Sequence, residues 1–168
     1  MIALLVAALV GVVGVPSAAD VQRANVAAYV TAYERTVTAS VNSYDAAFTY
    51  DSFYAGTAEA VAISRRAQTA LSLCRVAAKR IPALRSPQSL PADDRAAFDQ
   101  YTRIKAAVYR HRCDSLASLV AYVDDPSKSS AQASVERSDA AAERMYVRGK
   151  ATILPTFKRL HMRYPAHW

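Results

Sequence analysis

The chain has 168 residues, 52% of them hydrophobic, with four glycines, two cysteines and a formal net charge of +7. That length fits one domain with a real core. So few glycines exclude a phosphate-cradling glycine loop and leave little turn chemistry for a sheet protein, whereas the long alanine-rich stretches favour helix.

Met1 to Ala19 carry no charged side chain, and Ile2 to Val15 form an apolar run interrupted only by Gly11 and Gly14. Pro16 ends the run, and Ser17-Ala18-Ala19 supplies small residues before Asp20. This pattern predicts a signal peptide over residues 1–19, cleaved near Ala19, although the usual basic n-region is missing. The run is shorter than the ~20 residues of a spanning helix, and no basic stop-transfer cluster follows it. The expectation is an exported protein, periplasmic or secreted, with one domain over residues 20–168.

In residues 20–60, Arg23 and Arg35 stand against Asp20, Glu34, Asp45, Asp51 and Glu59, a net of −3, so residues 61–168 carry +10. Such a surface attracts anionic partners. No run of consecutive Lys or Arg exceeds two, and export disfavours nucleic acid.

The spacing predicts a first helix from Asp20 to about Tyr54, with Val26, Val30, Tyr33, Val37, Val41, Tyr44 and Phe48 on one stripe. Gly56 marks its stop, and Thr57 with Glu59 the start of the next. The second helix is expected from Ala58 to Ile81. Its inner line is Ala60, Ile63, Ala67, Ala70, Cys74, Ala77 and Ile81, with Arg65, Arg66, Lys79 and Arg80 opposite. An inner face built from alanine admits a close neighbour. A proline-containing linker, Pro82 to Pro91, follows.

The third helix begins near Pro91 with Asp93 and Asp94 in its first turn, where the helix dipole favours negative charge. It reaches about Val123, with Phe98, Tyr101, Val108, Tyr109, Leu116, Leu119, Val120 and Val123 apolar on one face. Asp125 is the expected cap of a fourth helix running to about Arg163, with Val135, Ala142, Met145, Tyr146, Ile153, Phe157, Leu160 and Tyr164 inward. Pro155 predicts a kink near Ala151 and Thr152, eased by Gly149. The expected fold is all-α, an antiparallel four-helix bundle.

Cys74 and Cys113 pose a conflict. An even cysteine count in an exported chain predicts a disulfide. A simple hairpin of the second and third helices, at ~1.5 Å per residue, offsets the pair by roughly 10 Å from one end and roughly 20 Å from the other, whereas a bridge needs Cα atoms within ~7 Å. The compartment argument outweighs the predicted boundaries, and an intramolecular bridge is expected.

Lys105 and Arg112 stack on the inward side of the third helix. Cations there need partners or must reach the rim, and Asp51 is one partner in reach. Tyr33, Tyr44, Tyr101, Tyr109 and Tyr146 fall on or near inner faces. Together these residues outline a cationic, aromatic-walled recess. His111 and Asp114 form an i, i+3 pair, but Arg110 and Arg112 flank it and disfavour a cation. No Cys-x-x-Cys-His, Glu-x-x-His or Gly-x-Ser-x-Gly motif is present, and neither a cofactor nor a metal is expected.

Two functions compete. The first is a non-enzymatic binding protein for a protein or an anionic cell-envelope component, with peripheral membrane contact through Lys158, Arg159, Arg163 and Trp168 at the basic aromatic C-terminus. The second is a carrier of a small anionic or aromatic ligand held by Lys105, Arg112, Tyr109, Tyr33 and Tyr146. An enzyme using His111 and Asp114 is a third, weaker reading.

Overall fold

A computed structural model describes residues 15–48, 57–125, 127 and 129–165. Residues 1–14 of the expected leader lie outside the described residues, as do Asp51, Gly56, Pro126, Trp168 and the side chains of Thr57 and Glu59. Among the described residues there are four α-helices and no strand: α1 Ala18–Ala47, α2 Thr57–Arg80, α3 Ala92–Asp124 and α4 Ser129–Arg159. None of these helices is long and apolar enough to cross a membrane.

α1 starts two residues earlier than expected because Ser17 closes a capping box. Its hydroxyl accepts from the Asp20 amide at 3.2 Å, and the Asp20 carboxylate accepts from the Ser17 amide at 3.1 Å. Ser17, Ala18 and Ala19 therefore form the cap and first turn of a helix. α1 also ends earlier, at Ala47 rather than near Tyr54, with Phe48 as its C-cap. Its buried line is Val26, Tyr29, Tyr33, Val37, Ser40 and Ala47, turned slightly from the expected stripe. Val30 and Val41 sit at the edge of the core. Tyr29 displaces Val30 because its hydroxyl has a partner inside, Thr102 Oγ1 at 2.7 Å.

α2 follows the sequence pattern closely. Ile63, Ala67, Ala70, Cys74 and Ala77 are buried, and Ile81 continues the line into a 3-10 turn over Ile81–Ala83. Arg65, Arg66, Lys79 and Arg80 are exposed.

Cys74 and Cys113 are disulfide-bonded, with Cα atoms 5.6 Å apart. The hairpin assumption, not the helix periodicity, produced the expected offset. α2 ends at Arg80, and residues 84–90 then pass along α3 as a strap, extended at Leu84 and closed by a turn in which the Leu90 amide donates to the Pro87 carbonyl at 3.2 Å. Because the chain travels along α3 before entering it at Ala92, the strap absorbs the larger mismatch. At the other end Ser64 Oγ meets Asp124 Oδ1 at 2.8 Å, so the first turns of α2 overhang the end of α3. The strap is tied to α1 by Asn25 Nδ2 donating to Ser89 Oγ at 2.8 Å.

Paired contacts set the directions. Asp94 meets Arg159 and Ser118 meets Ser134, so α3 and α4 are antiparallel. Tyr29 meets Phe98, while Tyr44 Oη lies 3.5 Å from Ser115 Oγ, so α1 runs parallel to α3 on the diagonal. α1 packs on α2, α2 on α3 and α3 on α4, with α3 the most enclosed helix. Where the strap replaces α2, the core is aromatic: Tyr29 lies edge-on to Phe98 at 4.9 Å and Phe157 edge-on to Tyr164 at 5.4 Å. Such pairs contribute about 0.5–1.5 kcal/mol beyond burial.

Asp125 is not the cap of α4. It is the C-cap of α3, and its carboxylate accepts from the amide and hydroxyl of Ser127, turning the chain before Ser129. α4 passes through Pro155 as one continuous helix. Gly149 permits a close approach to α3, since a Cβ there would lie 3.2 Å from Ile104 Cγ2. α4 ends at Arg159, not Arg163. His161 takes φ 53°, and the Met162 amide donates to the Phe157 carbonyl at 2.9 Å, the Schellman arrangement that reverses the chain. The reversal lays Tyr164 over Phe157.

Candidate ligand-binding cleft

α3 carries two cations two helical turns apart, Lys105 and Arg112, with Tyr109 between them. α1 contributes Tyr33, Val37 and Val41 to the facing wall, and α4 contributes Tyr146. These side chains line one cavity of about 500 Å³. All five residues expected to form a recess, Lys105, Arg112, Tyr109, Tyr33 and Tyr146, therefore lie around the same space. α1 and α4 flank it and are joined by side chains at both ends. Arg159 Nη1 donates to Gln22 Oε1 at 3.1 Å at one end, and Tyr44 Oη donates to the Asp139 carboxylate at the other.

Lys105 is 2% exposed. Its ammonium nitrogen lies 4.0 Å from the centre of the Tyr146 ring, 5.3 Å from Tyr101 and 5.7 Å from Tyr33. Among the described residues no carboxylate ion-pairs with it. The aromatic faces favour the charged amine. Burial, and then the Arg112 guanidinium, favour the neutral one and push its pKa down to about 7, with Glu143 opposing weakly.

Arg112 is half-buried, its guanidinium 5.3 Å from the Tyr44 ring centre and 5.5 Å from that of Tyr109. Burial pushes the Tyr109 hydroxyl up to about 12, against the pull of Arg112. Tyr33 and Tyr44 are raised above the ordinary phenol range, again chiefly by burial. At neutral pH the cleft thus presents neutral hydroxyls, aromatic faces and two basic nitrogen groups. Glu34 and Asp45 also line it, but both are solvent-exposed on α1.

The other predicted site residues are dispersed. Lys158 and Arg163 are exposed, while Arg159 is ion-paired with Asp94 and bonded to Gln22, so it joins α1, α3 and α4. His111 is half-buried and Asp114 exposed. Among the described residues no group of three His, Cys, Asp or Glu is placed to hold a metal ion. Asp139 escaped the sequence reading, although it lies seven residues before Tyr146, a spacing that puts both on one side of α4.

No family model, curated protein or solved structure matches this chain.

Proposed function

We propose that the protein is an exported binding protein whose α1–α3–α4 cleft holds a small aromatic ligand bearing a carboxylate. The observation that carries this reading is the buried Lys105, which lines a cavity and has tyrosine faces around its amine, with no carboxylate ion-paired to it among the described residues. A structural cation inside a bundle is ordinarily paired, because an unpaired buried charge is costly. An anion entering the cleft supplies the missing partner, Arg112 supplies a planar donor set for a carboxylate, and Tyr33, Tyr109 and Tyr146 supply stacking surface. The Cys74–Cys113 bridge is compatible with export, since disulfides persist in oxidising compartments. Contact of the C-terminal cations with an anionic envelope surface has less support, because Arg159 already has Asp94 and Gln22 as partners.

Calorimetric titration with 4-methylbenzoate tests the proposal. Saturable binding to the oxidised protein is expected, weakened about tenfold or more in Arg112→Met, the loss anticipated for one charge-assisted hydrogen-bonded pair. Equal affinity in wild type and Arg112→Met, or no binding by either, overturns it.

A further inference from the structure

The cleft holds a nucleophile that simple anion binding does not use. Lys105 is the one buried lysine among the described residues; Lys79, Lys150 and Lys158 are exposed. Lys105 lines the cavity yet is almost wholly shielded from bulk water; tyrosine rings from α1, α3 and α4 lie 4.0–5.7 Å from its amine, and Arg112 and Glu143 are the charges that act on it. A desolvated amine beside a second cation is the setting in which lysine becomes reactive toward carbonyl carbon.

From this geometry we infer that Lys105 condenses reversibly with an aldehyde or ketone carried by the ligand, forming an imine at the floor of the cleft. The inference rests on the ligand site proposed above. Nζ attacks the carbonyl carbon and the C–N bond forms. Nζ gives up two protons, the carbonyl oxygen leaves with them as water, and no oxidant or reductant is needed. The tyrosine enclosure of Tyr33, Tyr101 and Tyr146 limits return of water to the imine. Arg112, roughly 10 Å further along α3, is positioned for a carboxylate at the far end of the same molecule. The substrate class is therefore an aromatic carbonyl compound with a carboxylate opposite the carbonyl. Among the described residues no carboxylate ion-pairs with Lys105, and one that did would hold the nitrogen protonated and unreactive.

The experiment uses the full oxidised chain at neutral pH, with 4-formylbenzoate and cyanoborohydride to fix any imine as a secondary amine, followed by peptide mapping. Labelling of Lys105 at least tenfold above Lys79, Lys150 and Lys158 is expected, reduced in Arg112→Met and abolished in Lys105→Met. Competition by 4-methylbenzoate, which lacks the carbonyl, is expected to suppress the labelling. Uniform labelling of all lysines overturns the inference. If 4-methylbenzoate binds but Lys105 is not labelled, the imine fails while the ligand site stands. If neither occurs, both fail.

Discussion

Lys105 on α3 and Tyr146 on α4 form the closest cation–aromatic contact in the protein among the described residues, with the amine nitrogen 4.0 Å from the ring centre. The contact joins two helices across the wall of a cavity rather than within a packed seam. Among the described residues it stands in place of the ion pair that a cation on an inward face ordinarily demands.

The first prediction concerns pH. The Lys105 amine stands at about 7 in the fold, against ~10.4 for a free lysine, so between these values the unfolded chain binds more protons and stability rises with pH. The buried tyrosines act oppositely. Tyr29 and Tyr109 are pushed up to about 12, so the stability they contribute is intact below ~10 and is lost as pH climbs through 12. Urea midpoints measured from pH 6 to 12 are expected to peak near ~9–10. Lys105→Met is expected to flatten the rise and leave the alkaline fall; a flat wild-type profile between 7 and 10 contradicts the assignment.

The second concerns the bridge. Cys74 and Cys113 are 39 residues apart, and the chain-entropy argument gives about 4 kcal/mol for closing such a loop. The double variant Cys74→Ala, Cys113→Ala is expected to lose 3–4 kcal/mol in denaturant unfolding, on the order given by that relation. A loss below about 1 kcal/mol would show that the bridge does not restrain the unfolded chain in this way.

The third uses His161, whose positive φ carries a Cβ penalty that glycine avoids. His161→Gly is expected to stabilise by about 0.5–1 kcal/mol, raising Tm by roughly 2 °C. A lower Tm would mean that the imidazole makes a contact that outweighs the backbone strain.

The fourth separates structural from surface cations. Arg159→Met and Asp94→Asn, measured singly and together, are expected to show a coupling of about 0.5–1 kcal/mol, since the pair is only partly shielded from water. Lys158→Met and Arg163→Met are expected to change stability by less than about 0.5 kcal/mol. Zero coupling would free Arg159 for an external partner.

Helix number, class and the inner line of α2 were legible because apolar residues there recur every three or four positions without interruption. The cleft was legible for the same reason: Lys105, Tyr109 and Arg112 share a side of α3, and the facing tyrosines lie on inward stripes. α1 was read one position off at Tyr29 and Ser40, since a buried hydroxyl with a partner such as Thr102 looks polar in sequence. The α2–α3 register was not legible. The composition of Pro82 to Pro91 does not distinguish a loop that turns at once from a strap that travels along its neighbour; the partners that fix it are distant in sequence, Ser64 with Asp124 and Asn25 with Ser89.

The strap also acts as a ruler. Its span sets how far α3 slides past α2, whereas sulfur atoms tolerate far less misplacement than a full-residue step. Oxidation of the cysteine pair therefore reads out the length of a connector that contains neither cysteine. Shortening residues 84–90 while leaving every helix intact would strand two good thiols at different heights, and the spacing of this one connector, as much as the cysteines themselves, is what encodes the bond.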